Sequence, residues 1–157
     1  MNRRTILKGL GVLGGAALSG PLSGPAPAAA QDLGRNEPVE AGLKRIFGGR
    51  PMKDGAGVIK FDVPTIAENG AVVPVSVEVN APMTATNYVK RVYIVADKNR
   101  IPIVTRVTFA PEAGQAFVGE NIRLGETGLV RVIAEQSDGT LYQVAREVKV
   151  TVGGCGG

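Results

Sequence analysis

The sequence contains no histidine and no tryptophan, and its only cysteine is Cys155. Histidine is the side chain most often used as a general base near neutral pH and as a metal ligand. Its absence leaves almost no material for a zinc site, a haem site or a Ser-His-Asp hydrolase. One cysteine can neither form an intramolecular disulfide nor hold a metal ion by itself. The composition therefore favours a protein without a metal, a cofactor or catalytic residues of its own.

Excess positive charge is scarce once the first 30 residues are set aside. The chain has 18 basic and 14 acidic residues, and the first 30 residues contain three basic residues and no acidic ones. The remainder is nearly balanced, with 15 basic residues against 14 acidic ones. Aromatic residues make up only 4% of the chain, and no basic stripe or aromatic platform is present. The sequence therefore gives no electrostatic support for nucleic-acid binding.

Residues 1–30 have the organisation of an export signal. A basic head containing Arg3-Arg4 precedes a Gly/Ala/Leu-rich apolar stretch, and the small residues 28–30 follow. The apolar stretch is too short and too rich in glycine to span a bilayer as a helix of about 20 residues, so we expect no membrane association. The paired arginines resemble the twin-arginine type, which exports folded proteins. We predict cleavage near Ala30 and a periplasmic location.

The segment 31–54 contains one predicted short helix, at residues 37–47. The apolar residues of this stretch recur at helical spacing, and they are Val39, Leu43, Ile46 and Phe47. Asn36 is a candidate cap, Pro38 lies in the predicted first turn, and Gly48 is a candidate end. The apolar face requires a partner surface, either on the rest of the domain or on another protein.

From Gly55 onward, apolar and polar residues alternate with a period of two, which is typical of half-buried strands. Pro74 cannot donate to a strand ladder, so its strand is expected at a sheet edge or to begin there. Seven candidate strands follow at residues 58–63, 73–79, 88–95, 103–109, 115–124, 128–136 and 141–152. The pattern predicts an all-β fold, an immunoglobulin-like β-sandwich over residues 55–152.

The chain ends Thr-Val-Gly-Gly-Cys-Gly-Gly, with alternation stopping at Val152. Glycine has wide conformational freedom and no side chain to pack, so residues 153–157 are expected to leave the sandwich as a thin, flexible arm. The arm glycines are Gly153, Gly154, Gly156 and Gly157. The arm could carry Cys155 roughly 10 Å outward and into narrow channels. The nearest cation in sequence is Lys149, so we expect an ordinary carrier thiol rather than an activated nucleophile.

Several other uses of the tail remain open on spacing alone. A glycine-rich end can be simply disordered, with an incidental cysteine. In an exported protein, a cysteine without a partner in its own chain can also form a disulfide between two chains of a scaffold or adhesion protein. A thiol-dependent sulfurtransferase is a third alternative. A ubiquitin-like thiocarboxylate at Gly157 would need ATP, which exported compartments lack. A lone thiol has no resolving cysteine, and this favours holding a covalent intermediate over dithiol redox cycling.

The twin-arginine leader, the single β-sandwich and the terminal Val-Gly-Gly-Cys-Gly-Gly together resemble the SoxY family, the sulfur-carrier subunit of bacterial thiosulfate oxidation. The resemblance implies that Cys155 carries sulfur intermediates covalently and that the protein is not itself an enzyme. It also implies a heterodimer with a SoxZ-like β-sandwich subunit. The other implied partners are a c-type cytochrome that couples thiosulfate to the thiol, a sulfate-releasing hydrolase and, in some systems, a molybdenum-containing sulfur dehydrogenase.

Overall fold

The computed structural model describes residues 34–155. The predictions made for Arg3, Arg4, Gly156 and Gly157 therefore lie outside the described residues. Within residues 34–155 the chain forms one α-helix and nine strands. Their bounds are α1 (Val39–Phe47), β1 (Met52–Asp54), β2 (Ile59–Asp62), β3 (Ile66–Asn69), β4 (Val73–Val79), β5 (Val89–Ala96), β6 (Ile103–Thr108), β7 (Ala116–Ile122), β8 (Gly128–Gln136) and β9 (Leu141–Val152).

The strands form two facing sheets, which confirms the predicted immunoglobulin-like β-sandwich. The larger sheet has the order β1-β9-β8-β5-β6, with β3 also paired to β9, and the smaller sheet has the order β2-β4-β7. Every second residue of β4 is buried, from Val73 to Val79, because alternate side chains of a strand point to opposite faces. These valines pack against buried residues of the larger sheet such as Val130 and Val132 and form the main core.

Helix α1 covers the outer face of the larger sheet, so its apolar face docks on the domain itself. Val39 and Phe47 pack with Tyr93, Ile133 and other residues of this sheet in a second apolar cluster. The rings of Phe47 and Tyr93 meet edge to face with centroids 4.9 Å apart. The prediction that α1 ends at glycine is confirmed, since Gly48 adopts a left-handed conformation with φ of 63°.

The predicted cap at Asn36 is wrong. The helix begins one residue after Pro38, and no side chain caps its first turn. Proline fixes its own φ near the helical value, so it can precede a helix without the side-chain oxygen that Asn36 would have supplied.

A buried carboxylate ties the chain after α1 to the larger sheet. The Glu135 side chain is only 7% exposed, and its two oxygens accept hydrogen bonds from Arg50 at 3.1 Å and Arg91 at 3.2 Å. Arg50 also donates to the carbonyl oxygens of Phe47 and Gly139. Burial, followed by the charge of Glu135, raises the pKa of Tyr93. This network supports the position of α1 on the sheet.

Two strands were not predicted, and both pair parallel with β9. β1 pairs with Leu141–Gln143 of β9, and β3 pairs with β9 between Lys149 and Val152. β1 and β3 are three and four residues long. They are too short to show a clear alternation, and their pairing depends on contacts distant in sequence.

The prediction for Pro74 gave two alternatives, and the second is confirmed, because the strand begins beside it at Val73. The first alternative, an edge strand, is wrong. β4 is the central strand of the smaller sheet, paired with β2 and β7. The pairing of β2 with β4 stops at Ser76, so Pro74 lies beyond the end of β2 and no β2 residue is opposite the missing N–H group.

No helix within residues 34–155 is long and apolar enough to cross a membrane.

Candidate functional site

The last strand reaches beyond its main partner before the tail begins. β8 pairs with β9 only as far as Val148. Lys149, Val150 and Val152 pair with β3 instead, with Asn69 opposite Val152. On the other side the Val150 N–H group donates to the hydroxyl of Thr127 at 2.9 Å. The end of β9 is therefore held between strand β3 and the loop that contains Thr127.

Three backbone hydrogen bonds continue this arrangement past Val152. The Gly70 N–H group donates to the Val152 oxygen at 2.7 Å, and the Leu124 N–H group donates to the Gly70 oxygen at 2.8 Å. The Gly154 N–H group then donates to the Leu124 oxygen at 3.0 Å, and Gly154 is buried. We call Gly70 together with residues 123–125 the tail seat, because these residues contact the tail.

Close backbone approach explains why glycine is needed on both sides of this contact. A Cβ atom placed on Gly70 would lie 2.2 Å from the Leu124 oxygen and 2.8 Å from the Gly154 nitrogen. A Cβ atom on Gly154 would lie 2.7 Å from the Gly70 oxygen, and one on Gly153 would lie 2.3 Å from the Gly125 oxygen. Because real side chains do not approach backbone atoms this closely, alanine at any of these three positions would force the tail and the tail seat apart.

Side chains also support the tail seat. Arg123 donates from Nη1 to the carbonyl oxygen of Cys155 at 3.2 Å. The loop that carries Arg123 is held by Asn99, whose side-chain amide donates to the Arg123 oxygen at 2.7 Å and accepts from the Gly125 N–H group at 3.0 Å. One asparagine of the β5–β6 turn thus fixes the residues that contact the tail.

Cys155 itself is exposed, and it is the free thiol of the described chain. We expected the chain to leave the sandwich at Gly153, and here the structure differs, because Gly154 is hydrogen-bonded and buried. The reason is that glycine permits tight backbone contact as readily as it permits freedom. Movement of the tail as an arm stays a prediction, with a docked position as its starting point.

Three residues of this site escaped the sequence reasoning, namely Gly70, Asn99 and Arg123. The sequence places Lys149 nearest to Cys155 among the cations, whereas the fold brings Arg123 to the cysteine backbone from 32 positions away. The Asn69-Gly70 pair was a usable signal for a turn. Nothing in the sequence indicated that this turn would meet the tail.

No three histidine, cysteine, aspartate or glutamate side chains of residues 34–155 come together in a group that could hold a metal ion.

The fold and the site together define a β-sandwich protein that presents a single exposed thiol beyond its last strand. A family model described as "Sulfur oxidation protein SoxY" matches residues 43–155, a span that includes the tail seat and ends at Cys155. The chain belongs to the SoxY family.

A solved structure described as the sulfur carrier protein SoxY from Chlorobium limicola f thiosulfatophilum is similar to this chain. The two are 30% identical, with a TM-score of 0.60, and the alignment covers 73% of this chain and 97% of the other. A superoxide reductase from Ignicoccus hospitalis is 19% identical, with a TM-score of 0.54 over 59% of this chain and 79% of that one. The latter likeness shows a shared fold alone. No curated protein matches the chain.

Proposed function

We propose that this protein is a covalent sulfur carrier in thiosulfate oxidation, with Cys155 as the attachment site. The observation that carries the proposal is the exposed thiol at the end of the SoxY match, placed between pairs of glycines beyond the last strand. Family membership supports a sulfur-carrier role in sulfur oxidation, and the solved relative is itself described as a sulfur carrier protein. We infer that the protein acts as a substrate for other enzymes and has no turnover of its own.

The loading step forms one sulfur–sulfur bond. The Cys155 thiol and thiosulfate lose one proton and two electrons and become a cysteine S-thiosulfonate. A c-type cytochrome partner is the oxidant that accepts the two electrons. A hydrolase partner then adds water across the terminal sulfur–sulfonate bond, which releases sulfate and leaves a persulfide on Cys155. In some systems a molybdenum-containing sulfur dehydrogenase would oxidise this persulfide. The carrier supplies a thiol that reaches each partner in turn.

We further propose that the chain is exported to the periplasm through the signal containing Arg3 and Arg4. A SoxZ-like β-sandwich subunit would associate with it, and export of folded proteins would allow the two to travel together. The support for both statements is the sequence pattern of residues 1–30 and the family resemblance.

Intact-mass measurement tests the attachment. The processed chain is incubated with thiosulfate and the oxidising cytochrome, and Cys155→Ser serves as the matched control. The proposal predicts that the native chain gains the mass of one thiosulfate, that a reductant reverses the gain, and that the variant gains nothing. A disulfide-linked dimer without a small adduct would instead support a scaffold role. Multiple turnovers by the purified chain alone would support an enzyme.

A further inference from the structure

The tail seat makes contacts with the chain beyond the last residue of β9. Its hydrogen bonds continue past Val152 to Gly154, and Arg123 reaches the carbonyl oxygen of Cys155. The side chain of Asn99 forms hydrogen bonds with Arg123 and Gly125 and so bridges the two residues on either side of Leu124. Two separate loops are thus shaped around two glycines of the tail.

We propose that the tail seat is a docking position for the carrier arm, in which Gly70 and Leu124 hold Gly154 while Arg123 holds the backbone of Cys155. The arm then alternates between this docked position and a released one. Asn99 and Arg123 act as positioning residues, because they fix where the cysteine lies without reacting with the sulfur. The docking itself does not depend on the proposed cargo; only its consequence for delivery rests on the proposed function.

Release changes how far the thiol can travel. In the docked position Cys155 lies one residue beyond the last backbone hydrogen bond, at Gly154. Once Gly154 leaves Leu124, Cys155 lies three residues beyond Val152, so its reach grows from roughly 3.5 Å to roughly 10 Å. A docked thiol can meet only a partner that approaches the surface of the sandwich. A released thiol can enter a recessed active site.

The steric evidence gives this inference a direct test on residues that the chemistry does not use. Gly70→Ala leaves the tail sequence unchanged but places a Cβ atom 2.2 Å from the Leu124 oxygen. Gly154→Ala leaves the loops unchanged and places a Cβ atom 2.7 Å from the Gly70 oxygen. Gly57→Ala is the matched control, because no atom lies within 4 Å of a Cβ atom built there.

The measurement is the NMR cross-relaxation (NOE) between the amide proton of residue 154 and the α-protons of residue 70, made on the processed chain. We expect this NOE in the native chain and in Gly57→Ala, and its loss in both Gly70→Ala and Gly154→Ala. The amide spectrum of the sandwich confirms that each variant is folded. Should Gly70→Ala lose its fold, Gly154→Ala still decides the outcome, because it alters only the tail.

Two results would overturn the docking position. One is the absence of the NOE in the native chain, and the other is its persistence in Gly154→Ala. Neither result depends on thiosulfate, so failure of the carrier function and failure of docking are distinguishable. Arg123→Gln tests the side-chain contact separately, since it keeps a polar side chain but shortens it and removes the guanidinium group that donates to the Cys155 oxygen. We expect a weaker NOE in this variant, and an unchanged NOE would remove Arg123 from the docking position.

Discussion

Three substitutions of glycine by alanine should change the rate of sulfur transfer differently. They distinguish the effect of a bulkier arm from the effect of lost docking. Gly156→Ala adds a methyl group to the arm on the far side of Cys155, outside the described residues. Gly70→Ala disrupts the tail seat, because the added Cβ atom would clash with the Leu124 oxygen and the Gly154 nitrogen. It leaves the sequence of the arm unchanged. Gly154→Ala does both. Together the three variants separate the passage of a thin arm into a partner from its release from the sandwich.

The expected magnitudes follow from packing. Forcing one extra methyl group into a well-packed site costs about 1–3 kcal/mol, which corresponds to roughly 5- to 150-fold in rate. We therefore expect Gly156→Ala to transfer sulfur at least about fivefold more slowly to a recessed active site. Gly154→Ala should also be slower than the native chain, but less so than Gly156→Ala, because it disrupts docking as well. Docking gains two hydrogen bonds of about 1 kcal/mol each and orders two residues at about 1–2 kcal/mol each, so the terms nearly cancel. At most about half of the chains are then docked, so Gly70→Ala should transfer at the native rate or up to about twofold faster.

The assay is single-turnover release of sulfate from the loaded carrier by its hydrolase partner, with Gly57→Ala as the control. Loss of the Gly154–Leu124 hydrogen bond should reduce the unfolding free energy of Gly154→Ala by only about 1 kcal/mol, so the variant stays folded. Native rates in both Gly154→Ala and Gly156→Ala would refute the thin-arm reasoning. A Gly70→Ala variant that is folded and as slow as Gly156→Ala would refute the view that docking competes with delivery.

Three further predictions concern the sandwich. Glu135→Ala removes the carboxylate shared by two partly exposed arginines, so we expect a loss of about 2–3 kcal/mol in urea unfolding; exposed Glu147→Ala is the control, and equal small losses would contradict the network. Phe47→Ala should cost about 3–5 kcal/mol by emptying the contact between α1 and the sheet, and a loss under about 1 kcal/mol would contradict that packing. The pKa of Tyr93 is raised by folding, so the folded chain keeps this proton when the unfolded chain loses it, and stability falls as pH rises above about 10. Tyr93→Phe should flatten this dependence, and an unchanged slope in denaturant titrations at pH 9–11 would contradict the shift.

Long alternating strands were predictable because one buried face imposes a period of two. β4 follows from Val73–Val79 in this way, since every second residue of it is buried. Helix α1 followed from its apolar spacing and from Gly48. The short strands β1 and β3 were not predictable, because their positions depend on pairing with a strand many residues away. The same holds for Pro74, whose tolerance depends on where β2 ends.

Part of the candidate site was also predictable from the sequence, and part was not. Cys155 stood out because position, composition and motif all single it out within the sequence. The tail seat did not, since Gly70, Arg123 and the supporting Asn99 come from three separate loops that only the folded sandwich brings together. Glycine by itself is ambiguous, because the lack of a side chain suits both a free arm and a tight backbone contact.

The attachment of sulfur to Cys155 is tested most directly by peptide mapping. Cleavage after Lys149 isolates residues 150–157, which contain the only cysteine of the chain. After incubation with thiosulfate and the oxidising cytochrome, this peptide should gain the mass of one thiosulfate. Addition of the hydrolase should then release sulfate and leave one extra sulfur atom on the peptide. An unmodified 150–157 peptide in a chain that supports thiosulfate oxidation would contradict the carrier role of Cys155.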